Sequence, residues 1–162
     1  MNTKLKSIVL VLGAITMQSL FVQTVMANKC IDLVEEKDFY GAANVCENLA
    51  KKNDRSAQFT LATLYYDGKG VMEDNAQALK WFRKSAENNY SQAQYNLAIM
   101  LASGIGIDAD LVEAYAWLKI SQSNGYGPAT DSIKQMGAEL SSSEKKQADK
   151  KMAELRKEFK LQ

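Results

Sequence analysis

The 162-residue chain contains no histidine. That absence removes Ser-His and Cys-His nucleophile pairs, the zincin helix motif and every histidine-ligated metal site. Net charge is missing too, since 20 Lys and Arg stand against 19 Asp and Glu, so no global basic field attracts nucleic acid. A membrane-length apolar run is also lacking. The apolar stretch from Ser7 to Val22 is interrupted, and with Gln18 and Gln23 it falls short of the roughly 20 apolar residues a span needs. Several chemical motifs begin and stop short. Ser142 with Lys145, and Ser143 with Lys146, have S-x-x-K spacing, but the S-D-N and K-T-G partners are absent. Asp108 and Asp110 are spaced like part of a calcium loop without its third acidic residue and glycine. Gly68-Lys69-Gly70 and Gly104-Ile105-Gly106 lack the third glycine and preceding strand of a dinucleotide site. Neither a catalytic residue, a metal nor a cofactor is expected.

What is present begins with export. Lys4 and Lys6 precede the apolar stretch, and Val25-Met26-Ala27 supplies a peptidase site, so residues 1–27 read as a signal peptide cut after Ala27. Lipid attachment is disfavoured, because Ala27-Asn28-Lys29 precedes Cys30 in place of small apolar residues. Removing 27 of 162 residues leaves 135, enough for one domain with a continuous core. Cys30 and Cys46 both remain, an even count in an exported chain, and a helical hairpin reversing near Glu35 to Asp38 would let them bond. Two inert buried thiols are the competing reading.

The dominant pattern is internal copying. Residues 57–92 and 93–128 abut with a period of 36, and twelve aligned positions are identical. Unrelated segments of average composition would share about two or three. Such a period marks a solenoid whose units are helix pairs stacked on their neighbours. In the first copy Ala57, Leu61 and Leu64 form one helical face, widened by Tyr65. Gly68 and Gly70 then reverse the chain, and Val71, matched by Ile107, is expected to plug the space between the two helices. Asp74 with Gln77, and Asp110 with Glu113, predict the capped start of the second helix. Ala78, Trp81, Phe82 and Ser85 line its inner face, as do Ala114, Trp117, Leu118 and Ser121 in the other copy.

Residues 28–56 read as a partial repeat, since stepping back 36 from Asp74, Ala78 and Ala86 reaches Asp38, Ala42 and Ala50. Its first helix is cut short, to about Cys30 to Glu36. Residues 129–162 read as capping helices. Ile133 and Met136 continue the register, a capping box spans Ser141 to Glu144, and Ala148, Met152, Leu155 and Phe159 make one apolar stripe. Seven basic against four acidic residues between Glu144 and Lys160 would also suit a membrane-surface helix, but a solenoid end needs a polar outer face, which favours the cap.

The pattern of Ala57, Phe59, Leu61, Tyr65, Gly68, Gly70, Val71, Asp74, Ala78, Trp81, Phe82 and Ala86 resembles the Sel-one-like repeat family, with Leu101 and Gln122 departing from it in the second copy. That resemblance implies an all-α fold, a right-handed α-solenoid of antiparallel helix pairs related to tetratricopeptide repeats. It also implies an adaptor, a non-enzymatic scaffold for a protein or peptide partner in the bacterial envelope, periplasmic or secreted, or in a host. By analogy the first helices line a concave groove. Their outward positions are then the partner-binding candidates: Thr60, Thr63 and Asp67, with Asn96, Ile99 and Ser103 in the second copy. The alternative is a protein that binds or hydrolyses cell-wall peptides or β-lactams, as assigned to some disulfide-rich relatives. Those relatives repeat a cysteine pair in each unit, whereas both full repeats here have none.

Overall fold

The structure, a computed structural model, describes residues 29–161, and the expected signal segment lies outside them. Among the described residues there are eight helices and no strand. They are α1 (residues 29–35), α2 (Phe39–Lys51), α3 (Arg55–Asp67), α4 (Asn75–Glu87), α5 (Ser91–Ser103), α6 (Leu111–Ser123), α7 (Ala129–Glu139) and α8 (Ser142–Phe159). From α2 to α6 every helix has 13 residues and recurs at the 36-residue step of the sequence copies. Packing is sequential: α2 on α3, α3 on α4, α4 on α5, α5 on α6, and α6 against both α7 and α8. The chain is a helical solenoid whose core runs along its length.

Local sequence explains where each helix starts. Asp38, Asp54, Asp74 and Asp110 each accept a backbone N–H three residues on, which satisfies one orphan donor of the first turn. At Ser141 the capping box closes in both directions with Glu144. At Asp110 it closes in one direction, because the Glu113 carboxylate accepts from Arg83 and Trp117 instead. The helices approach closely along fully buried alanines, Ala42, Ala78 and Ala114, one per unit. Trp81, Phe82, Trp117 and Leu118 are buried beside them and fill the space that small residues leave.

The loops between first and second helices are packed, through a contact made twice. Gly70 and Gly106 both sit at positive φ, at 72° and 76°. A Cβ on Gly106 would come within 2.8 Å of the Asn75 carbonyl oxygen, and one on Gly70 would run into the Phe39 carbonyl and Tyr40 amide. Phe39 and Asn75 are themselves 36 apart, each the first residue of the preceding unit's second helix. Glycine is therefore needed for conformation and proximity together. The expected plug is corrected in one copy: Val71 is half-buried against the core, but Ile107 is 44% exposed, and in the second copy Ile105 packs on the core instead.

Polar groups stitch the units together in duplicate. Gln58 Nε2 donates to the Ala50 carbonyl and to Asn53 Oδ1, while Asn88 Nδ2 donates to Asn53 Oδ1 and Gln58 Oε1 at 2.8 Å each. One repeat on, Gln94 Nε2 donates to the Ala86 carbonyl and Asn89 Oδ1, and Asn124 Nδ2 donates to Asn89 Oδ1 and Gln94 Oε1. Ser85 and Ser121 hydroxyls donate to the Arg55 and Ser91 carbonyls at the start of the preceding helix. All four of Gln58, Gln94, Ser85 and Ser121 are buried, so each bond offsets a desolvation cost of about 1–3 kcal/mol.

Both ends depart from the repeat. At the N-terminal end a three-residue link, 36–38, replaces the loop 68–74 of the full unit, and a Cys30–Cys46 disulfide joins α1 to α2 with Cα atoms 5.2 Å apart. The disulfide reading holds and the free-thiol reading does not. At the other end α8 lays Ala148 and Leu155 into the core, with Met152 and Phe159 half-buried beside them, against α6. Lys119 pairs with Asp149, and Arg156 Nη2 donates to Ser123 Oγ. The apolar stripe of α8 thus faces protein.

Candidate functional site

The first helices α3 and α5 each bury one stripe in the core, Leu61 and Leu64 on α3, Leu97 and Met100 on α5. Neighbouring positions point along the face the two helices share. Between them lies a hollow of about 150 Å³ lined by Thr63 and Tyr66 of α3, Phe82 of α4, Asn96, Ile99 and Met100 of α5, and Ile105 of the following loop. Phe82 and Met100, 2% and 3% exposed, form its fixed floor. Its walls are half-buried or exposed side chains, so the hollow opens outward.

Three of the six sequence candidates, Thr63, Asn96 and Ile99, meet in this hollow. The other three do not line it. Thr60 is half-buried, and its hydroxyl donates to the Ser56 carbonyl within α3. Asp67 is exposed and pairs with Lys69 at 2.8 Å. Ser103 is the exposed last residue of α5. Sequence reasoning missed Tyr66, Phe82, Met100 and Ile105 as lining residues. For Ile105 a signal existed, because it stands where the first copy has Lys69, an apolar side chain at a position otherwise exposed and charged.

No charged side chain lines the hollow, and the nearest pair in sequence, Asp67 with Lys69, stands one turn beyond Thr63 at the end of α3. The thirteen residues of α5, SQAQYNLAIMLAS, include no charged side chain. The principal ion pair lies between second helices: Arg83 Nη1 donates to Glu113 Oε1 at 2.7 Å, and Trp117 Nε1 donates to the same oxygen at 3.1 Å. Burial pushes the Glu113 carboxyl up, but the hydrogen bond and charge of Arg83, helped by Trp117 and Lys151, outweigh it and hold the group below the usual carboxylate range. Glu87 goes the other way. Burial raises it, and the opposing charge of Arg83 does not compensate, with Glu158 adding repulsion.

Two residues in or beside the partial motifs cap helices. Ser141 caps α8, and Ser142 and Ser143 are exposed in its first turn. Asp110 caps α6, and Asp108 is exposed in a loop. Among the described residues no group of three or more His, Cys, Asp or Glu is placed to hold a metal ion, and no helix is long and apolar enough to cross a membrane.

Comparison with known proteins gives a consistent result. Residues 55–90 and 91–126 match the Sel1 repeat family, and these spans begin at the first residues of α3 and α5. A protective antigen present in uropathogenic Escherichia coli strains and displaying an SLR fold superposes with a TM-score of 0.80 at 28% identity. It matches over 85% of this chain and 30% of its own. A Sel1 repeat protein from Oxalobacter formigenes gives a TM-score of 0.57 at 29% identity, over 58% of this chain and 39% of its own. The chain thus spans about a third of the length of these solved structures. No curated protein matches.

Proposed function

We infer, from a chain that carries two Sel1 repeats in a helical solenoid, that it is a non-enzymatic interaction scaffold working in the bacterial periplasm or outside the cell. Sel1 repeats typically mediate protein interactions, and proteins of this fold are generally scaffolds. The observation that carries the reading here is the hollow between α3 and α5, where Thr63 from one repeat converges with Asn96 and Ile99 from the next. A surface that exists only where two repeats stack suits recognition of another chain.

Location rests on three supports. The apolar N-terminal stretch reads as a signal, and the Cys30–Cys46 disulfide suits an oxidising compartment. Likeness to a protective antigen also favours a place outside the cytoplasm. The partner is then a protein or peptide of the envelope or of a host, and not nucleic acid.

The test is capture of partners from the native envelope by wild type and by Ile99→Arg. A charge placed in the hollow should abolish capture and leave the helical circular dichroism unchanged. Undiminished capture would remove this face from the function. Turnover of nitrocefin or of muropeptides, lost in Ser142→Ala or Ser143→Ala, would replace the scaffold with an enzyme.

A further inference from the structure

We propose that the hollow between α3 and α5 is an anchor pocket for one uncharged side chain of leucine or phenylalanine size, presented by an extended segment of a partner protein. This rests on reading that face as the recognition surface, and it names the chemistry of what the face takes. Size comes first. A hollow of about 150 Å³, floored by Phe82 and Met100 and walled in part by Tyr66, Ile99 and Ile105, has room for one phenylalanine ring or one leucine side chain.

Charge complementarity decides the class. No charged residue lines the hollow, and α5 supplies none along its whole length. A lysine or glutamate entering it would lose hydration against Phe82, Ile99, Met100 and Ile105 with no opposite charge to offset the loss. An uncharged apolar side chain incurs no such cost and gains from the area it removes from water.

The polar groups at the walls say that this side chain is attached to a peptide. Asn96 and Thr63 stand on opposite helices. The Asn96 amide offers a donor and an acceptor together, the complement of a peptide group. Thr63 donates its hydroxyl proton to the Phe59 carbonyl at 3.1 Å, which leaves its oxygen lone pairs to accept a backbone N–H. A free hydrocarbon would use neither. The next junction is built differently: Ser132 and Gln135 stand on α7 one period after Asn96 and Ile99, and Ser132 Oγ donates to Tyr95 Oη at 3.3 Å. The apolar anchor therefore belongs to the α3/α5 junction.

The experiment is a titration of the purified protein with N-acetyl-phenylalaninamide, N-acetyl-leucinamide, N-acetyl-lysinamide, N-acetyl-glutamate amide and toluene, read by NMR at the methyl groups of Ile99, Met100 and Ile105. The phenylalanine and leucine amides should give saturable shifts in the millimolar range, and the lysine and glutamate amides should bind at least about tenfold more weakly, the cost of one unpaired polar group. Ile99→Trp, which fills the hollow, should abolish the shifts with helicity intact. Asn96→Ala should weaken the amides by about tenfold and leave toluene unaffected. Toluene binding without amide binding would overturn the peptide assignment, as would concentration-dependent shifts of the same methyls in the protein alone, which would mean a second copy. No shift with any probe would overturn the pocket itself. The scaffold reading would still be judged separately, by Ile99→Arg in partner capture.

Discussion

Replacing Gly70 by alanine tests the packing that defines the repeat. Two costs add at this position. The first is conformational: a non-glycine residue held at φ of 72° costs about 1–2 kcal/mol. The second is steric, because the new Cβ meets the Phe39 carbonyl and the Tyr40 amide, which are backbone atoms at the start of α2 and cannot rotate aside. Moving a helix start or the loop to relieve such an overlap adds about 1–3 kcal/mol. The total is about 2–5 kcal/mol, a large part of the stability of a domain this size. Gly125 provides the control, since its φ of 86° carries the conformational cost and nothing lies within 4 Å of a Cβ there. Urea unfolding of both variants should place Gly125→Ala about 1 kcal/mol below wild type and Gly70→Ala at least about 1 kcal/mol lower still. Equal losses would mean that the loop does not rest on α2, and the reasoning would fail.

Three further outcomes follow from the same geometry. Gln94→Ala removes one hydrogen bond from the Ala86 carbonyl and one from the Asn124 amide, each of which keeps another partner, and should cost about 1–3 kcal/mol in urea unfolding; Gln58→Ala should match it to within about 1 kcal/mol, because the two networks are copies. Cys30→Ala with Cys46→Ala should lower stability by about 3 kcal/mol, measured against the oxidised wild type, from release of a short loop in the unfolded chain. Glu113 and Glu87, the two partly buried carboxylates among the perturbed ones, should respond oppositely to acid. Glu113 is held low in the fold, so its contribution is present above the usual carboxylate range and is lost as pH falls; Glu113→Gln should be destabilised at neutral pH and approach wild type in acid. Glu87 is held high, so its relative advantage lies on the acid side and is lost as pH rises; Glu87→Gln should melt higher than wild type at neutral pH and converge with it in acid.

The repeating part of this fold was legible because its signals are local or periodic. Asp74 and Asp110 announce helix starts within four residues, and Ala78, Trp81, Ala114 and Trp117 recur at the period of the stack. The disulfide was legible through compartment and hairpin geometry. What a single helix cannot show is the contribution of its neighbours. Thr63, Asn96 and Ile99 follow from the face of one helix type, whereas Phe82 reaches the same hollow from α4 and Ile105 from a loop. The Gln and Asn networks join residues 30 and 35 apart, and their signal lay in the polar identities Gln58 to Gln94 and Asn88 to Asn124 between copies. Ile107 was misplaced because the second copy's loop offers two apolar residues, and Ile105 is the one that packs against the core.

Site-specific photocrosslinking in the producing cells tests the scaffold most directly. A photoreactive residue would replace Thr63 or Ile99 on the shared face, and separately Lys80 or Lys150 on the exposed sides of α4 and α8. One saturable protein adduct is expected from Thr63 and Ile99, absent from the two lysine positions. Adducts from the lysine positions alone, with none from Thr63 or Ile99, would contradict the scaffold's use of this face.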